Sequence, residues 1–416
     1  MKNICFRLAA AFLLVFLLAG ASFAETAAAS WPAFNGINHD NISPDRGLLK
    51  AWPAEGPKLL WSHNKCGKGY ASVTIADGMI FTAGSLTSKD TITALDFSGK
   101  ILWQAENGKS YTGSNPGERS TPVWSDGMVY QISGLGILGA FDAKTGKGVW
   151  SLELKGSETK GSAGTWGYAE SVTIDGNNLI CMPGGKNTLC LALDKKTGKK
   201  IWETESTGDN AGYCSGIIVD YKGKRLLLTM SAKYAMGIDP KTGKLLWKFA
   251  YETAWDVHAT TPVFLDGLIY ITSGYGTEDK CLKLDDSLSA VTELWSGKNI
   301  DNHHGGVVMV NGYIYGFGDK NKGLHCIDMK TGKKLWTEKS VGKGSLTYAD
   351  GMLYCYSETG GLVTLVEANP GQFKQAGQFK TPSEGKDPFW NHPVVAGGKL
   401  FLRHENDLFV YDVKGR

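Results

Sequence analysis

One short phrase recurs along this chain and decides what it can fold into: an acidic residue, a Thr-Gly-Lys turn, one or two apolar residues and a tryptophan. The clearest copies run from Asp142 to Trp150, Asp194 to Trp202, Asp239 to Trp247 and Asp328 to Trp336. Looser copies end at Trp103 and Trp295, and Glu367 to Phe379 is a degenerate seventh. The last copy has Asp412 without its Trp, whereas Lys58-Leu59-Leu60-Trp61 has a Trp without its Asp, so the two complete each other. Between successive tryptophans comes a second phrase, Asp-Gly or Asn-Gly before a β-rich run, at Asp77-Gly78, Asp126-Gly127, Asp266-Gly267, Asn311-Gly312 and Asp350-Gly351. Looser versions contain Asp175-Gly176, Asp220 to Leu228 and Gly397 to Leu402. Both residues of a two-residue hairpin turn must tolerate positive φ, which selects these residue types.

Each repeat, about 45 residues long, therefore reads as strand, Asp-Gly hairpin, strand, connection, strand, Thr-Gly-Lys hairpin, strand. A four-stranded sheet carrying one large aromatic cannot bury both faces alone, so neighbouring repeats stack and the array closes. The spacing predicts an all-β protein: an eight-bladed β-propeller of four-stranded antiparallel blades spanning 57–416, its ring closed by an N-terminal strand at 57–61 beside the strands at Val394, Leu400 and Phe409. Residues 25–56 are predicted to pack on the propeller as an extension.

Basic or polar residues from Met1 to Arg7, an apolar stretch from Leu8 to Ala19 and small residues through Ala24 form a signal peptide, with cleavage expected after Ala24. The early cysteine, Cys5, lies in the discarded part, so no lipoprotein is expected, and the mature chain is placed in the periplasm or outside the cell. No later segment reaches the length of a membrane span. Removing Lys2 and Arg7 leaves 42 basic against 41 acidic side chains, a balance that argues against a nucleic-acid partner. Seven cysteines remain; export permits a bridge between Cys181 and Cys190, and buried reduced thiols are the other reading.

The Asp-x-x-Thr-Gly-x-x-x-Trp phrase resembles the repeat of pyrroloquinoline-quinone (PQQ) type propellers, and the resemblance extends to the opening Trp31-Pro32-Ala33-Phe34-Asn35-Gly36 and to Gly56-Pro57-Lys58-Leu59-Leu60-Trp61. It implies two branches: quinoprotein alcohol dehydrogenases, and the branch of the outer-membrane assembly factor BamB, which acts by protein contact. The stretch from Trp247 to His258 is similar to a dehydrogenase segment, but the position that family uses for its acidic base holds Thr253. The resemblance leaves Asp256 and His258 as catalytic candidates and Glu170 as a calcium or quinone contact if PQQ binds. Neither an adjacent Cys-Cys pair nor a Cys-x-x-Cys-His haem motif occurs. Gly134-Leu135-Gly136-Ile137-Leu138-Gly139 spells a dinucleotide loop but is followed by a strand, not the helix such a loop requires.

Aligning the repeats on their hairpins shows which side chains start each innermost strand and so ring the central funnel. The candidates are Glu118, Arg119, Tyr168, Tyr213, His303, His304, Lys343 and Trp390, with Trp166, Glu170, Asn391 and His392 beside them. Aromatics, histidines and paired charges at one mouth suit a small-molecule or peptide site. The plainer reading is that strand starts are polar because they meet water. Glu118-Arg119 reads as an ion pair, and adjacent His303 and His304 point to opposite faces, which argues against a metal site. The chain is thus expected to be a monomeric envelope module, BamB-like in type, that binds a protein, small molecule or glycan without a cofactor. A PQQ- and calcium-dependent alcohol or sugar dehydrogenase is the alternative, and a carbohydrate-binding or carbohydrate-processing propeller using Trp166, Tyr168 and Tyr213 is the third.

Overall fold

Left-handed backbone at the predicted turns builds the first hairpin of most sheets. Asp77 and Gly78 sit at φ 51° and 75°, Asp126 and Gly127 at 49° and 78°, and Asn311 and Gly312 at 52° and 85°, as a two-residue turn between twisted strands demands. In the computed structural model, which describes residues 29–415, the hairpins open eight antiparallel sheets that form an eight-bladed β-propeller. Blades 1 to 7 occupy residues 74–109, 123–153, 173–205, 217–250, 263–297, 307–338 and 344–380. Blade 8 takes three strands from 394–412 and its outermost strand, Lys58–His63, from the start of the chain, paired antiparallel with Asp407–Asp412. The signal peptide and its cleavage point lie outside the described residues.

The Thr-Gly-Lys phrase acts between blades. Asp142 and Asp194 each accept bonds from the backbone and hydroxyl of the turn threonine, Thr145 or Thr197, which holds both carboxyls below the usual range. The turn glycine then lies flat beneath the tryptophan of the preceding blade. A Cβ on Gly146, Gly198, Gly243 or Gly332 would stand 2.4–2.8 Å from Trp103, Trp150, Trp202 or Trp295. The same four indoles donate to carbonyls of that next turn at 2.9–3.0 Å.

Two blades vary the device. Blade 5 has a longer turn with Leu288 at φ 64°, which packs on Trp247, and the Trp247 indole nitrogen has no partner. In blade 7 the wedge is Phe379, and Gly56, next to the closing strand, supplies the glycine beneath it, with a Cβ distance of 2.5 Å.

Residues 31–49 run along the face where the innermost strands end. Trp31 is fully buried and bridges Ile75 of blade 1, Pro32 accepts from Trp124 of blade 2, and Ile42–Ser43 adds a parallel strand to Tyr348 and Ala349 of blade 7. Leu48 N and Leu49 N bond Asp350 and Val413. The seven cysteines among the described residues are buried and free. Cys181 lies opposite Leu191, so strand alternation turns Cys190 to the other face, which accounts for the missing bridge.

Candidate functional site

Each blade sends two loops to the opposite face: the approach to its innermost strand, and the connection between its second and third strands. The strand-start alignment captures the first kind and misses the second. Below both, hydroxyls tie neighbouring blades together around the axis: Thr121 Oγ1 accepts from Ser72 N, Ser171 Oγ from Thr121 N and Ser215 Oγ from Ser171 N, each at 2.9–3.1 Å. Above this belt a cavity of about 180 Å³ opens to solvent. Arg119, Trp166, Tyr213, His303, His304, Trp390 and His392 of the predicted set line it, as do Tyr70, Tyr275 and Phe34.

Phe34 enters from the other side. The N-terminal segment crosses the ring there, Asn35 bonding Thr261, and the Phe34 ring meets His392 at 4.8 Å. The extension therefore supplies the floor of the cavity, a role its sequence did not signal.

On one wall, Lys343 links the connection loops. Its ammonium lies 2.9 Å from Asp319, 3.1 Å from Glu358 and 2.9 Å from His303 Nδ1. His303 Nε2 faces Tyr275 Oη at 3.0 Å, and Glu358 also accepts from the Trp390 indole at 2.9 Å. Burial pushes His303 down to about 4, with Lys343 adding to the shift, and His392 falls to about 4 for the same first reason. Burial and the neighbouring His303, Lys343 and His392 hold His304 neutral as well. Nε2 of His304 and Nδ1 of His392 are buried with no hydrogen-bond partner among the described residues, and Nδ1 of His304 has only Glu358 Oε2, at 3.6 Å, an arrangement that calls for a ligand or ordered water. Trp255 projects from the rim, 66% exposed and edge-on to Trp166 at 6.2 Å.

Several expected site residues lie elsewhere. Glu118 is fully buried and accepts from the backbone of Tyr111 and Gly134; it makes no ion pair with Arg119, whose guanidinium instead binds the carbonyls of Ser114, Asn115 and Gly117. Tyr168 is buried with its phenol on Pro183 O, and Asn391 donates to Ala71 O between blades. Glu170 sits inside blade 3 on Met182 N, where burial pushes its carboxyl up to about 8. His258 is fully buried, bonded to Ser273 at 2.6 Å and stacked on Tyr251 at 5.2 Å. Asp256 follows the exposed Trp255 in a short 3-10 turn, its own N bonded to Thr253 O, and does not line the cavity.

Tyr275, Asp319 and Glu358 were not singled out from sequence because they belong to the connection loops, whose lengths vary from blade to blade. The hairpins that set the register do not align them.

Charge around the cavity is a poor match to a metal-held polyanionic quinone. Lys343 is already neutralised by two carboxylates, and no group of three or more His, Cys, Asp or Glu side chains suited to a metal occurs among the described residues. A PQQ tricarboxylate would thus meet one unpaired cation, Arg119, in a cavity smaller than the usual 300–1,000 Å³ of drug-sized sites.

Fold and site define a closed eight-bladed propeller with one polar, aromatic-rimmed cavity on its axis. The family model described as outer membrane protein assembly factor BamB, a PQQ-type repeat, matches residues 41–163, 88–338 and 292–372, and the chain belongs to that family of PQQ-like repeat propellers. The overlapping matches reflect a repeat that fits in more than one register. Among solved structures, BamB from Moraxella catarrhalis is similar over 86% of this chain and 98% of its own, with TM-score 0.59 at 15% identity. A quinohemoprotein alcohol dehydrogenase from Comamonas testosteroni is similar over 93% of this chain and 81% of its own, with TM-score 0.50 at 12% identity. A europium-containing methanol dehydrogenase covers 90% and 89%, with TM-score 0.52 at 12% identity. These likenesses are of fold. No curated protein sequence matches the chain.

Proposed function

We propose that this protein is an exported binding module of the cell envelope, which takes a small ligand or a short segment of a partner in the cavity beneath Tyr70, Tyr213 and Trp390. The observation that carries the reading is the set of buried, neutral imidazoles with unpartnered nitrogens around one cavity, His304 and His392, under an aromatic rim. Such a wall orients a ligand by hydrogen bonds while the rings supply contact area. Similarity to the assembly-factor structure favours recognition over turnover, and residues 1–24 favour export. No helix of the described residues is long and apolar enough to cross a membrane.

The dehydrogenase reading needs a base within reach of a substrate hydroxyl. His258 is sealed between blades and Asp256 stands outside the cavity, which weighs against it. Calorimetric titration of residues 25–416 with PQQ in calcium buffer, beside a dye-reduction assay on alcohols and sugars, separates the two. The binding reading expects neither saturable heat nor reduction. One-to-one PQQ binding with substrate-dependent reduction overturns it.

A further inference from the structure

We propose that the cavity takes a small hydroxylated monocarboxylate, an acidic sugar, with its carboxylate on Arg119 and a hydroxyl on Nδ1 of His392. The proposal rests on the reading of this mouth as a binding site and adds what it binds.

Arg119 is the anchor. Its guanidinium stands 5.5 Å from the Tyr70 ring centroid and 4.9 Å from that of Tyr111. A guanidinium has five N–H donors; three go to the carbonyls of Ser114, Asn115 and Gly117, so two, Nε–H among them, meet no acceptor among the described residues. Among the described residues no carboxylate comes within 4.0 Å of it, because Glu118 turns away to the backbone of Tyr111 and Gly134. A half-buried cation without a counter-ion is costly, and a ligand carboxylate accepting the two spare donors removes that cost. A second acid group has no such place, since Lys343 is held by Asp319 and Glu358.

His392 sets the other requirement. Its Nε2 lies 2.8 Å from the His304 carbonyl oxygen. A carbonyl only accepts, so Nε2 carries the proton and Nδ1 presents a lone pair. That nitrogen is buried and without a hydrogen-bond partner among the described residues, on a side chain 6% exposed whose ring lines the cavity. It needs a donor. An ammonium gains nothing here, because the nearby carboxylates already hold Lys343, whereas a hydroxyl donates without bringing charge. Trp166, Tyr213 and Trp390 offer flat surfaces for the C–H face of a ring, and about 180 Å³ accommodates one ring of that size.

The test is calorimetric titration of residues 25–416 with D-glucuronate, its neutral amide glucuronamide, glucose and cyclohexanecarboxylate. The expected result is saturable one-to-one binding of glucuronate, with the other three at least tenfold weaker, and Arg119→Gln lowering glucuronate to the level of the amide. The amide, tested on the unaltered protein, decides the role of the acid even if the variant misfolds. Equal affinity for acid and amide overturns the anchor, and cyclohexanecarboxylate binding as tightly as glucuronate overturns the hydroxyl at His392. Absence of heat with all four overturns the proposal; the binding reading itself falls only if a glycan panel and capture of envelope proteins are also empty.

Discussion

Glu170 gives the protein a pH-dependent stability unconnected with the cavity. Burial raises its carboxyl from 4.5 to about 8, so between those values the folded chain binds more protons than the unfolded one. Its contribution therefore falls as pH rises through that window. Glu170→Gln removes the slope: a gain of ~1–3 kcal/mol at pH 8 and little change near pH 4.5 are expected from urea midpoints. The histidines act in the opposite sense. Burial drops His303 and His392 from 6.5 to about 4, so the stability they allow is complete above pH 6.5 and lost as pH falls towards 4. Denaturation midpoints followed from pH 4 to 9 should peak near neutrality in the wild type, and Glu170→Gln should flatten the alkaline side and steepen the acid side.

Turn glycines separate two roles that the repeat spells with the same letter. Gly127, in an Asp-Gly hairpin, has open space where a Cβ would go, so Gly127→Ala meets only the strain of φ 78° and should cost about 1 kcal/mol. Gly243 has a similar φ of 76° and an indole 2.4 Å from that Cβ, so Gly243→Ala must also push Trp202 from its seat and should cost about 2–4 kcal/mol. Thermal melts of the two variants test the difference, and equal losses would deny the wedge its packing role. The wedges follow from local pattern because each involves one hairpin and the next. The connection loops carrying Tyr275, Asp319 and Glu358 do not, since nothing in their own stretches fixes which loops meet over the axis.

At the scale of the whole molecule, closure depends on Lys58–His63 covering Asp407–Asp412. Deleting 57–61 bares that strand, removes the Trp61 wedge over Gly99, and should lower the melting temperature cooperatively while promoting edge-to-edge dimers, read by calorimetry and sedimentation. Deleting 29–43 tests a different element. Blade pairing should survive, whereas the cavity should lose the Phe34 floor against His392 and become continuous with the opposite face. Ligand affinity should then fall by more than tenfold with a smaller change in melting temperature, since each blade keeps the hydrogen bonds among its own four strands and only the added strand at Ile42–Ser43 is lost.

Blade number, hairpin register and ring closure were legible in the sequence, because Asp-Gly turns, Thr-Gly-Lys turns and tryptophans each act within one blade or between adjacent ones. The strand-start alignment also placed Arg119, Trp166, Tyr213, His303, His304, Trp390 and His392 at the mouth, since repeats equivalent in register are equivalent around the axis. Tertiary structure decided which of their neighbours face inward. Glu118, Tyr168 and His258 share that register and Glu170 and Asn391 lie beside it, yet His258 bonds the Ser273 hydroxyl and the other four bond backbone groups. Only the closed ring brings the connection loops of blades 6 and 7 against Lys343, sets that of blade 5 against His303 and carries Phe34 beneath His392, because those contacts join residues tens to hundreds of positions apart.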